Sequence, residues 1–144
     1  DYVMRIKQSG MNVNLFLLKQ VPVLSPSQFD EYARDFIVPR VAALTRTSDD
    51  LCAVWLSNYP RYYYQSPEER CRIRAELDAY IARMYRLTRR ELEYILSPAS
   101  VMGADFPTET FPGLQRDETV LYGEFLTKRL VLEAYDKLEA GELE

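Results

Sequence analysis

The residue types best suited to reading a nucleic acid stand in the opening segment: Arg5, Lys7, Asn12, Asn14 and Lys19, with Gln8 and Gln20 among them. Arginine and lysine suit phosphates or guanine, and asparagine and glutamine suit adenine edges. These are the candidate DNA-proximal residues. The same stretch also fits a packed linker between domains. Tyr59, Tyr62, Tyr63 and Tyr64, around Arg61, are a second candidate. Such rings stack on unpaired bases, or wedge a connector against a core. Arg70, Arg72, Arg74, Arg83, Arg86, Arg89 and Arg90 do not share one helical face. Spacing pairs Arg72 with Glu68 or Glu76, and Arg74 with Asp78, which predicts a solvated, ion-paired helix rather than a phosphate-binding ridge.

Much chemistry is excluded by what is missing. The chain has no histidine, and Cys52 and Cys71 do not form a CxxC pair. A zinc site therefore lacks ligands, and no mechanism has a histidine base. The two cysteines read as free core thiols of a reducing compartment. No glycine-rich phosphate loop is present. The acid pairs Glu68/Glu69 and Asp117/Glu118 fall at predicted helix starts, where negative charge is favoured electrostatically. No catalytic residue, cofactor-binding residue or metal ligand is assigned within the chain.

The elements that must position these residues are helical from Ser25 onward. Ser25-Pro26-Ser27-Gln28 is a helix-start signal. It leads into Phe29, Tyr32, Ala33, Phe36 and Ile37 at helical spacing. Pro39 is expected to end or kink that helix, with a second one through residues 40–44. Ser48-Asp49-Asp50 caps a short helix over residues 51–56. Ser66-Pro67-Glu68-Glu69 is the clearest start. It predicts a helix to about residue 86 that buries Ile73, Leu77, Tyr80, Ile81 and Met84. Thr88 and Glu91 make a capping box for a short helix ended by Ser97-Pro98, and the two helices are expected to form a tight hairpin. Residues 97–115 read as a long loop with Phe106 and Phe111 plugging the core. A last helix is predicted over residues 117–139, with Gly123 inside it and closely packed. Residues 1–24 read as irregular structure or a short edge strand, closed by Pro22 and Pro26.

With 144 residues, 47% hydrophobic and 28% charged, the chain has the balance of one globular domain. The net charge of -4 does not point to nucleic acid. Residues 61–90 carry eight arginines against four acids, and residues 104–144 carry ten acids against four bases. That asymmetry suits separate partners, or two segments that attract each other. No apolar run approaches membrane-spanning length. The opening at Asp1, already inside a patterned stretch, is what a piece of a longer protein would show.

Three strings carry a family resemblance. RIKQSGMNVNLFLLKQVPVL, RAELDAYIARMYRLTRRELEYIL (residues 74–96) and YGEFLTKRLVLEAYDKL (residues 122–138) resemble the C-terminal region of type IIG-like restriction-modification adenine-N6 DNA methyltransferases. Related methylases occur in phage defence systems of the DISARM and BREX kind. Arg86 stands where that family often has glycine before the leucine, which bears on the turn there. The resemblance implies a parent enzyme that uses S-adenosylmethionine, but its cofactor loop and catalytic motif have no matching positions here.

The combined expectation is a mainly α protein, a small helical bundle with a short irregular or β-containing N-terminal segment. Residues 1–24 would end a target-recognition or linker segment, and residues 25–144 would form a C-terminal helical domain. Its function would be to support DNA target recognition without catalysis, in the bacterial cytoplasm. Its partners would be the remainder of the parent chain and, through it, duplex DNA, with no membrane. The alternative is a protein–protein adaptor that docks a partner subunit without touching DNA.

Overall fold

The computed structural model describes residues 2–7, 15–45 and 66–143. Among them the elements are α1 (Tyr2–Lys7), α2 (Leu15–Leu18), a 3-10 turn (Pro26–Gln28), α3 (Glu31–Thr45), α4 (Pro67–Met84), α5 (Arg89–Leu96), α6 (Pro98–Met102), α7 (Pro112–Tyr122) and α8 (Leu126–Ala140). No strand occurs among the described residues. The protein is a small, mainly helical bundle, and the N-terminal segment contributes short helices where an edge strand was an option. The predicted cap at residues 48–50, the helix at 51–56, the tyrosine connector and Cys52 lie outside the described residues.

Local signals place several helix starts. The Ser66 hydroxyl accepts the N–H of Glu69 at 3.1 Å, with Pro67 in the first turn. At α5, Thr88 N–H donates to Glu91 Oε2 at 2.7 Å, and Glu91 N–H donates back to Thr88 Oγ1 at 3.3 Å. These bonds satisfy amides that have no partner inside the helix. The Ser25 signal produces only the 3-10 turn. Here α3 starts later, where Asp30 Oδ1 accepts the N–H of Ala33 at 2.8 Å.

Pro39 neither ends α3 nor splits it. Proline removes one N–H donor from the helical ladder, and Arg40 helps to hold the helix together there. Its Nη1 donates to the Phe36 carbonyl at 2.9 Å, its Nε donates to Glu76 Oε2 of α4 at 2.8 Å, and its guanidinium lies 3.5 Å from the Phe36 ring centroid. Packing against α4 thus overrides the local preference to break.

The expected hairpin of α4 and α5 is not the main pairing. The principal partner of α4 is α8, and α5 leans on α8 and α6. Ala75, Ala79, Tyr80 and Ala82 are the buried residues of α4, against Val131, Leu132, Ala134, Tyr135 and Leu138 of α8. Ile73, Leu77, Ile81 and Met84 are only half-buried. Small side chains sit at the centre of the crossing because they leave room for the bulkier residues of α8. Phe36 of α3 stacks on Tyr80 at 4.2 Å.

The predicted last helix is two helices. Gly123 has φ +77 and caps the C-terminus of α7. A Cβ placed there would meet nothing within 4 Å. Left-handed backbone, not close packing, is why glycine stands at this position. The Ser97-Pro98 signal that closes α5 also opens α6, which shortens the expected loop. Phe111 packs on the core, and Phe106 meets Tyr94 edge-on at 6.4 Å.

Candidate functional site: an apolar groove beside α4

The turn after α4 sets one end of the site. Leu87 N–H donates to the Ala82 carbonyl at 3.1 Å, and Arg86 N–H to the Arg83 carbonyl at 2.8 Å. This is a helix stop that needs a left-handed residue, and Arg86 takes φ +59 to make it. The Tyr85 side chain then donates to the Pro22 carbonyl at 2.9 Å, which ties the N-terminal segment to α4.

Between these parts lies a cavity of about 950 Å³. Its walls come from α1, Val21 and Pro22, α4 and the turn after it, α5, the start of α7, and Thr127 and Val131 of α8. Ile81, Leu92, Ile95, Leu96 and Val131 make it apolar, and Arg5 and Asp78 are the charged residues among those that line it. The Arg5 guanidinium lies 4.9 Å from the centroid of the Phe111 ring. Thr127 at the rim has its hydroxyl and its N–H on the carboxylate of the buried Glu118, at 2.6 and 2.8 Å. Glu118 therefore serves a helix start as expected of an acid, but that of α8 rather than its own.

Asp78 lines the groove and is exposed to solvent. The protein around it raises its carboxyl above the ordinary value by desolvation, and the positive charge of Arg74 acts against that. Burial likewise pushes up the Tyr2 phenol, with Tyr94 adding to the effect.

Of the candidate DNA-proximal residues, Arg5 is exposed and turned onto Phe111, and Lys19 is exposed just beyond α2. α1 and α2 touch, so these two stand on or beside neighbouring short helices. Lys7 ends α1. Asn12 and Asn14 lie outside the described residues. Several arginines that were candidates for a phosphate ridge bind protein instead. Arg70 donates to the Leu44 carbonyl at 3.1 Å, Arg83 to the Leu138 carbonyl, and Arg89 to both carboxylate oxygens of Asp136 at 2.6 and 3.1 Å. Arg72 faces Glu69 at 3.9 Å rather than Glu68 or Glu76, because Glu76 is held by Arg40.

Sequence reasoning assigned Asp78 to Arg74 and missed its place in the groove. The signal was its position four residues before Ala82 and three before Ile81, which line the groove with it.

A second polar group joins α5, α6 and α8. The buried Ser97 donates to Glu109 Oε1 at 3.3 Å, and Ser100 donates to Ser97 at 3.1 Å. The Lys128 ammonium donates to Ser100 and faces Glu93 at 3.4 Å. With the lysine acting as donor, the contact is a bridge between helices rather than a nucleophile and its base. Among the described residues no group of three or more His, Cys, Asp or Glu side chains comes together as a metal site, and no helix is long and apolar enough to cross a membrane. Comparison with protein families, with curated proteins and with solved structures finds no match to the chain.

Proposed function

We propose that the chain is a non-catalytic helical docking module of a restriction-modification DNA methyltransferase, bracing the region that recognises the DNA target. The observation that carries the docking part is a set of large apolar side chains left uncovered. Leu15, Phe16 and Val23 of the N-terminal segment are 74, 71 and 80% exposed, and Val120 and Leu121 of α7 are 80 and 73% exposed. Sequence-adjacent exposed pairs such as Leu15/Phe16 and Val120/Leu121 offer apolar area that another surface can bury. The parent assignment rests on the resemblance of the three strings. In this reading S-adenosylmethionine and the target base are held by the remainder of the parent chain, and Arg5, Lys7, Asn12, Asn14 and Lys19 lie towards the duplex.

The test is a pair of measurements on the isolated chain. Incubation with S-adenosylmethionine and duplex DNA is expected to give no methyl transfer. Duplex binding is expected to be weak and to fall steeply with salt, as phosphate contacts require. Methyl transfer by this chain alone would overturn the reading. Absence of duplex binding at every salt concentration favours the second reading, a protein–protein adaptor that never touches DNA. The placement of Arg5 on Phe111 supports that alternative.

A further inference from the structure

The N-terminal segment is fastened to the bundle at the rim of the groove. The helix that α1 touches most is α2, not a helix of the bundle. Two contacts hold the pair in place. The Tyr85 hydroxyl donates to the Pro22 carbonyl at 2.9 Å, and the Arg5 guanidinium lies 4.9 Å from the Phe111 ring centroid. Tyr85 and Arg5 are both exposed, where such contacts are modest. Between these contacts the segment spans a cavity of about 950 Å³ instead of filling it. Tyr2, Val3 and Val21 of the segment line it together with Leu92, Ile95 and Val131 of the bundle. Walls that face a void forgo the dispersion contacts that hold a packed core together.

We propose that α1 and residues 15–22 form a strap that opens from the bundle as one unit and uncovers the inner wall of the groove. Elements with few buried contacts and exposed hydrogen bonds open locally, well below the cost of global unfolding. The bundle does not depend on the strap. Ala75 and Ala79 of α4 and Leu132 and Leu138 of α8 belong to its core, and none of them lines the groove. Leu92 and Val131 line the groove and are 5 and 0% exposed, so they are the residues that opening brings to solvent. Leu15, Phe16 and Leu18 on the strap are exposed. A partner docked on them acts on the strap, a consequence that rests on the docking reading; the strap itself does not.

The test is methyl NMR of the full chain with a soluble gadolinium chelate, which broadens the signals of groups that reach solvent. In Tyr85→Phe the broadening of Leu92 and Val131 is expected to rise about fivefold, the change in an opening equilibrium when one hydrogen bond is lost. Arg5→Ala is expected to raise it at the same residues, although the substitution lies at the other fastening, and the double variant should raise it further. Leu132 and Leu138, on α8 but outside the groove, should keep the values of the unaltered chain. In the unaltered chain, urea below the unfolding transition should expose Leu92 and Val131 before Leu132, a comparison that needs no variant to fold. No rise at Leu92 and Val131 in either variant, an equal rise at Leu132 and Leu138, or simultaneous exposure in urea would overturn the proposal. The chain is tested alone, so failure here is distinct from failure of the docking reading.

Discussion

Arg86 and Asp78 sit only eight positions apart in sequence and depart from local rules in different ways. Arg86 holds φ +59 in a helix stop that glycine makes without strain. Arg86→Gly is expected to raise stability by about 1 kcal/mol, the strain of a left-handed non-glycine residue less the extra freedom of glycine in the unfolded chain. Denaturant titration measures it, and a lower midpoint would refute the account. Asp78 has its carboxyl raised by burial. Between its unfolded and folded values the native state binds more protons than the unfolded one. Its contribution is therefore fully present in acid and is lost as pH rises through the raised value. Asp78→Asn should remove that fall from the stability–pH curve. Glu91 behaves oppositely, because the Thr88 backbone N–H and hydroxyl lower its carboxyl. Its contribution is present above the ordinary carboxylate value and is lost as pH falls through the lowered one.

Helix starts were the most legible features, because a cap is a contact between residues three apart and is visible in any single sequence. Ser66/Glu69 and Thr88/Glu91 illustrate this. Helix ends were less legible. Pro39 lies inside α3 because Arg40 and Glu76, distant in sequence, hold that helix against α4. The break at Gly123 was hidden because glycine inside an apolar pattern also suits close packing. Its sense becomes clear only when Glu118 is seen to cap the following helix. Glu118→Ala is expected to cost about 2 kcal/mol, since it removes a buried charged acceptor from two donors on Thr127. Loss of amide protection at the start of α8 in hydrogen exchange would locate the effect. An unchanged melting temperature would refute it.

For the whole molecule the decisive pairing is α4 with α8, elements separated by three intervening helices and the loops of residues 85–125. The crossing is built on alanine, and Ala79 is fully buried. Ala79→Leu is expected to destabilise by about 2 kcal/mol through overpacking, read from chemical denaturation. A neutral result would mean that the helices are less tightly apposed than described. The groove is another product of this scale. It needs α1, α4, α5, α7 and α8 together, and residues as far apart as Tyr2 and Val131 line it.

The sequence by itself determined the class of fold, the helix starts at Ser66 and Thr88 and the lack of histidine-based chemistry, because propensity, capping and composition act locally or need no structure at all. Only the tertiary structure decided which helices pair, why Pro39 is tolerated, which face of α4 is inward and that Asp78 opens into an apolar groove. Those outcomes depend on contacts between residues tens of positions apart, where burial and shape outweigh local preference.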